Sequence, residues 1–561
     1  MGFGVVLAVL GALASADAPV IRDPMAGRID AIFAPFARND APGCVVGVSR
    51  SGEIAFTGAY GMADVAHHVP LDDTTRLSVA STTKPFTALA VLLLASDGKI
   101  RLDDDVRTYV PELPVFGAPI TIRELLNHTS GLRDYWNLFN MAGWRTSDIE
   151  TQADVLWLVH RQTALNHPTG AEFLYTNTGY ILLAVIVERV SGKPFRSFLT
   201  ERIFEPLGMT RSDVKMEPAQ VVEDLATGYW GHDPATLRLA PRPLAFAGNS
   251  GVVTTVRDLA RFDANFYEPK VGTKALLDSM SAPGRLKDGT TFGYGFGFFI
   301  GTHRGRRMIS HAGSDLGYKA EFIRFPDDRL AVSVLCNAFD IAPTPLALQV
   351  ADLYLPKDEA ASAPPVPSGD AAARPGKPPE VPTPALAGLY WQGATGGIHR
   401  FFLEGDTLML DGGGEGNFPL TSLGGGAYRL TAAPRRFVLT FVQRQGAVVA
   451  VDEEIEGSQK RTYDKVQEPG RGDAPLDPLA GAYYSAELDV TWTFVLRSGR
   501  LVLERRRMDP DPLTRLFGDV FQSEAGYVIQ FTRGRRGKPA IMEVITERVR
   551  RLRFTRTVSR D

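Results

Sequence analysis

The chain has 561 residues, 44% of them hydrophobic, and carries 61 Lys and Arg against 64 Asp and Glu. That length exceeds one ordinary core and divides into two or three domains, and the near-neutral balance gives no support to a nucleic-acid partner. Two cysteines are too few for a disulfide framework, the nine histidines show no Cys/His metal spacing, and nothing in the chain calls for a cofactor.

Residues 1–16, MGFGVVLAVLGALASA, form a short apolar run ending in Ala14-Ser15-Ala16, a pattern that suits signal peptidase although no Lys or Arg precedes it. The run is too short for a permanent membrane anchor, and no cysteine follows the cleavage site. The expectation is an exported soluble protein, periplasmic or secreted.

Residues 22–355 read as one mixed domain. PGCVVGVSRSGEIAFTGAYG, residues 42–61, is a hairpin with Ser51-Gly52 at its turn. Next, VASTTKPFTALAVLLLASDGK (79–99) is apolar throughout Ala88–Leu94 and stops at Asp97-Gly98, which predicts a buried helix with Ser81 in its first turn. Asp103-Asp104-Asp105 lacks the spacing of a calcium loop and reads as a cap. Tyr175-Thr176-Asn177 ends an extended stretch and opens a second buried helix, ILLAVIVERVSG. GYGFGFFIG, RMISHAG and YKAEFIRFPDDRLAVSVLCNAF close the domain as strands. Strands at both ends around a helical middle predict a sheet assembled from the two ends. Cys44 and Cys336 would then sit on neighbouring strands, either as buried thiols or as a disulfide.

Residues 356–385, rich in Pro and Ala with no aromatic side chain, form a linker. Beyond it, residues 386–466 and 479–558 read as two small antiparallel β-barrels. Leu386-Ala-Gly-Leu-Tyr390 recurs as Leu479-Ala-Gly-Ala-Tyr483, each followed by a Gly-centred hairpin. The basic residues of the second copy, among them Arg505-Arg506-Arg507 and Arg550-Arg551, alternate with apolar ones, as on the solvent face of a sheet. Neither copy gathers groups that suggest chemistry.

Chemistry concentrates instead around Ser81. A spacing of i, i+3 puts Ser81 and Lys84 on one helix face. A serine hydroxyl needs a base, and a lysine desolvated by an apolar helix can be one. Spacing alone would equally suit a helix cap beside a solvated lysine. Tyr175 stands where it can relay a proton, and Asn177 where its amide can meet a substrate. At the end of a strand, His311-Ala312-Gly313-Ser314 has a glycine that would let a substrate lie against the strand edge. Tyr135-Trp136-Asn137 repeats the Tyr-x-Asn pattern in what reads as a polar loop, and Lys287-Asp288-Gly289 reads as a hairpin turn. No Gly-x-Ser-x-Gly elbow occurs.

Taken in order, Ser81-x-x-Lys84, Tyr175-x-Asn177 and His311-x-Gly313 resemble the three motifs of the class C β-lactamase, D-aminopeptidase and serine esterase superfamily, relatives of penicillin-binding proteins. TIRELLNHTSGL (121–132), IFEPLGMTRS (203–212) and AGNSGVVTTVRDLARF (247–262) resemble it too. The resemblance implies an α+β fold, with a five-stranded antiparallel sheet flanked by helices, and two lipocalin-like barrels as in D-aminopeptidases. It implies acyl transfer, with Ser81 as nucleophile, Lys84 deprotonating it with the assistance of Tyr175, Asn177 orienting the substrate, and backbone N–H groups of Ser81 and Ser314 as the oxyanion hole. His311 stands where the β-lactamase branch carries a lysine, which disfavours anionic β-lactams and favours esters, amides or peptides with a D-residue. Expected partners are a small-molecule or short-peptide substrate, and homo-oligomerisation is open. The competing expectation is a non-enzymatic penicillin-binding sensor that is acylated without turnover.

Overall fold

The computed structural model describes residues 23–356, apart from Arg242, and then 383–412, 417–430, 437–455, 460–470, 474–534 and 537–557. The apolar run of residues 1–16 and most of the linker lie outside the described residues.

The central sheet takes strands from both ends of the first domain. These are β1 (Cys44–Arg50), β2 (Glu53–Tyr60), β3 (Phe299–His303), β4 (Arg306–Asp315), β5 (Tyr318–Phe325) and β6 (Leu330–Cys336). Their spatial order is β3-β4-β5-β6-β1-β2, with every neighbour antiparallel. The sheet therefore has six strands where five were expected. The aromatic and glycine-rich run before β4 turns back at Arg304-Gly305, and its last five residues pair with Arg306–Ser310.

Strand β1 is buried along six of its seven residues because both faces of the sheet are covered. On one face α1 (Ala26–Phe33) and the C-terminal helix Pro343–Tyr354 place Ile29, Phe33 and Val350 against Val46, Val48 and Val334. On the other lie the helix Val256–Ala264 and the helical region that carries Ser81. Cys44 pairs with Cys336 across β1 and β6, and a disulfide joins them.

Two closed eight-stranded antiparallel barrels follow, the first from Gly388 to Val466 and the second from Gly481 to Arg556. The repeat Leu-Ala-Gly-x-Tyr has a local cause. The Tyr390 hydroxyl donates to the Leu386 carbonyl, and the Tyr483 hydroxyl to that of Leu479, each at 2.9 Å. Each tyrosine thereby satisfies its buried polar end while its ring fills the barrel.

The second barrel shares a core with the first domain. Trp492 is buried and donates from Nε1 to the Met141 carbonyl at 2.9 Å, while Arg133 pairs with Glu487 across the boundary. Here the solvent-face expectation fails for part of the basic tail. Arg550 is only 6% exposed and grips Glu172 with two nitrogens at 2.7 and 2.8 Å, and Arg505 lies in the same interface. Arg550 neutralises an acid of the other domain, and Arg505 donates to the Asn140 carbonyl there while Asp511 of its own barrel lies beside it, so each buried guanidinium has a partner. Among the described residues no helix is long and apolar enough to cross a membrane.

Candidate active site

Ser81 sits on a 3₁₀ turn, Ala80–Thr83, that leads directly into α2 (Lys84–Ser96). Ala80 is buried with φ +45°, a conformation that L-residues rarely adopt and that costs energy the surroundings must supply. Two neighbours hold the turn: Thr82 donates to the His311 carbonyl at 2.8 Å, and the Thr83 hydroxyl accepts from the Val252 amide at 3.0 Å.

Behind the serine, β4 runs unusually close. A methyl group on Gly313 would lie 2.1 Å from the Val79 carbonyl oxygen. The glycine is therefore required for packing the Ser81 turn on the strand, whereas the sequence suggested room for a substrate. Gly313→Ala should push the turn off the strand, costing about 1–3 kcal/mol and most of the activity. A thermal midpoint and a kcat measured on the same preparation check both effects.

Lys84 is fully buried, and its ammonium lies 3.0 Å from Ser81 Oγ, 2.9 Å from Asn177 Oδ1 and 2.9 Å from the Asn249 carbonyl. Burial drives its pKa well below the ordinary lysine value, and the nearby Arg548 pushes it in the same direction, against the pull of Asp134 and Asp315. Tyr175 behaves oppositely. Burial raises its pKa, so the phenol keeps its proton at neutral pH, with its hydroxyl hydrogen-bonded to Ser81. Of the two groups beside the serine, the lysine is the one able to accept a proton. The tyrosine is suited to pass one on.

Asn177 begins α3 (Asn177–Ser191), and its backbone amide donates to Asp134 at 2.6 Å. With Oδ1 turned to Lys84, its amide nitrogen is left to face a ligand. His311 is 1% exposed, and burial followed by the Lys84 charge lowers its pKa to about 3. It is neutral across the physiological range, bonded through Nδ1 to the Ala312 carbonyl and through Nε2 to the Tyr294 hydroxyl.

Ser81, Asn177 and Ser314 open on a cavity of about 440 Å³ with Asp315 and Leu316. Aromatic walls come from Tyr135, Trp136, Trp230 and Phe339. The structure thus gathers all seven candidate residues, Ser81, Lys84, Tyr175, Asn177, His311, Gly313 and Ser314, around one turn. Tyr135 and Asn137 also line this cavity. They sit in a short helix, Tyr135–Met141, capped by Asp134, where a polar loop was expected. Tyr135 is buried because its ring packs on Phe139 and Phe246. Asn177, and not Asn137, is the asparagine on Lys84. Lys287 lies in a turn bonded to Thr169 and Glu124, as read, and Asp105 caps a 3₁₀ turn.

Sequence reasoning missed three contributors. Asn249 supplies a carbonyl to Lys84 from a stretch noted only as a family resemblance. His128 packs, tilted, against Tyr175 at 4.2 Å between ring centroids and accepts the Thr176 amide at 3.2 Å. Arg548 comes from the second barrel, where no chemistry was expected, and its guanidinium lies 5.0 Å from the centre of the Tyr175 ring.

The Beta-lactamase family model matches residues 29–357. The chain belongs to that family. This Beta-lactamase family protein is 33% identical over 304 residues to a penicillin-binding protein of Bacillus subtilis (strain 168), covering 52% of this chain and 66% of the relative. It is 29% identical over 297 residues to a D-aminopeptidase of Cereibacter sphaeroides, covering 53% of this chain and 57% of the relative. These matches span less than two thirds of the relatives' own length. A D-aminopeptidase of Brucella melitensis biotype 1 is 26% identical over 469 residues, 82% of each chain. Among solved structures, the octameric penicillin-binding protein homologue from Pyrococcus abyssi shares the fold with a TM-score of 0.54 at 24% identity, over 78% of this chain and 100% of that one.

Proposed function

We propose that the protein is an exported serine hydrolase that cleaves amide or ester bonds through an acyl-enzyme on Ser81, in the manner of D-aminopeptidases or esterases. The observation that carries this reading is the buried Lys84, held 3.0 Å from Ser81 Oγ with its pKa driven down by burial.

In this reading Lys84 takes the Ser81 proton as the oxygen attacks the substrate carbonyl. The backbone N–H groups of Ser81 and Ser314 stabilise the oxyanion, and Tyr175 delivers a proton to the leaving group. Water then releases the acyl group, with Lys84 again as base. Asn177 orients the substrate amide. A neutral His311 supplies no fixed charge where the β-lactamase branch carries a lysine, while Asp315 on the cavity wall favours a substrate amine. The relatives named D-aminopeptidase support the same substrate class. The Cys44–Cys336 disulfide suits an oxidising compartment and supports the reading of residues 1–16 as an export signal. Assembly into oligomers finds support in the octameric homologue from Pyrococcus abyssi.

Hydrolysis of D-alanine p-nitroanilide and p-nitrophenyl butyrate, each with wild-type protein and Ser81→Ala, tests the proposal. Turnover of at least one substrate should fall by at least about 10³-fold in the variant. A stoichiometric burst without turnover would instead identify an acylated sensor, and turnover that survives Ser81→Ala would remove the serine from the mechanism.

A further inference from the structure

Arg548 lies in the turn between the last two strands of the second barrel, Pro539–Ile545 and Leu552–Arg556. The turn is fastened to the first domain through its backbone. The Arg548 carbonyl accepts from Asn166 Nδ2 at 2.8 Å and from the Asp134 amide at 3.3 Å, and the Arg550 amide donates to Asn166 Oδ1 at 2.8 Å. Arg133 reaches the Arg550 carbonyl at 3.1 Å, while the Arg550 side chain holds Glu172. The Arg548 side chain adds none of these hydrogen bonds, and its guanidinium lies over the Tyr175 ring. It lines the cavity that holds Ser81, Asn177 and Ser314.

The charges around that guanidinium leave it available to a ligand. Glu547 comes within 3.6 Å but is itself 80% exposed, so the contact is hydrated and weak. Asp134 commits one carboxylate oxygen to the Asn177 amide and the other to the Trp136 amide. Asp315 lies on the side of the cavity formed by the end of β4.

We infer that Arg548, supplied by the second barrel, anchors a carboxylate on the leaving half of the substrate. The inference rests on reading this cavity as the substrate site. The leaving half is assigned because the departing nitrogen must meet the Tyr175 hydroxyl, and Arg548 lies over the Tyr175 ring. The carboxyl carbon of a single-residue leaving group lies two bonds from its nitrogen, about 2.5 Å away, which suits the reach of a guanidinium poised there. Arginine binds a carboxylate through two parallel hydrogen bonds, a geometry that a lysine ammonium cannot reproduce. The barrel thereby becomes part of the specificity machinery, and Arg548 a binding residue.

Binding to a Ser81→Ala background tests this without requiring turnover. The probes are D-alanylglycine and D-alanylglycinamide, which differ only in the terminal carboxylate, titrated calorimetrically into full-length protein. The acid should bind at least about 10-fold more tightly than the amide, and Arg548→Gln should bring the ratio to about one, with Arg548→Lys between. Because the hydrogen bonds and ion pair that dock the turn do not use the Arg548 side chain, at most a small shift of the thermal midpoint should accompany the loss. Equal affinity for acid and amide before the Arg548 change, no binding of either probe, or a ratio that survives Arg548→Gln would overturn the inference. A retained ratio change in a protein that hydrolyses neither substrate class would uphold Arg548 as an anchor while defeating the hydrolase reading.

Discussion

Replacing Lys84 with methionine lowers kcat by about 10²–10⁴-fold, the range associated with loss of a positioned general base, and Lys84→Arg does no better. Methionine fills much of the same buried space without a proton-accepting nitrogen. Arginine keeps the positive charge but cannot give up its proton at any accessible pH, so charge and basicity are separated by the pair. Circular dichroism of both variants distinguishes loss of chemistry from loss of fold. The wild-type pH profile carries the same information. Activity needs the neutral amine, so kcat/KM rises as pH climbs through the pKa of Lys84. Burial and Arg548 hold that pKa well below 10.5, against Asp134 and Asp315, so the rising limb finishes far below the ordinary lysine range. His311 does not confuse the profile, since it loses its proton at about 3. Removing the Arg548 charge should move the limb to higher pH, because one of the groups that discourages a charged Lys84 has gone. A limb near pH 10, or full activity in Lys84→Met, would contradict the assignment.

The second large effect concerns stability. The Cys44–Cys336 disulfide spans 292 residues and ties the first strand of the sheet to the last. Closing so long a loop restricts the unfolded chain strongly, and removal of a native disulfide typically costs about 2–5 kcal/mol. Cys44→Ser with Cys336→Ser should therefore lower the thermal midpoint by about 4–15 °C, allowing about 2–3 °C per kcal/mol for a domain of this size. The residual sheet, with β1 buried on both faces, should still fold in the double variant. An unchanged midpoint, or two thiols that alkylate in denatured wild-type protein without reductant, would contradict it.

Local patterns made much of this molecule legible from sequence. Ser81 and Lys84 share a turn, Tyr175 and Asn177 share a helix junction, and the barrel repeat reflects a hydrogen bond across four residues. The union of the first and last strands followed from the order of strand and helix patterns. What was hidden depends on contacts between distant segments. Gly313 has an ordinary glycine context in sequence, and only the approach of Val79 explains it. Tyr135 stands among polar neighbours, yet tertiary packing on Phe139 and Phe246 buries it. The last strand added to the sheet begins inside a glycine and aromatic run whose hairpin partner is set by the turn at Gly305. Arg548 was the least visible, because a basic turn at the end of a barrel looks the same whether it faces water or another domain's active site.

The central claim is that Ser81 becomes covalently acylated and is then released. Rapid acid quenching of the protein during turnover of D-alanine p-nitroanilide, followed by mass spectrometry of the proteolytic peptide that contains Ser81, tests it most directly. A D-alanyl adduct on Ser81 that appears at early times and decays as substrate is exhausted is the predicted result. Turnover with no adduct at Ser81 under any quench time, or an adduct on another residue, would contradict it.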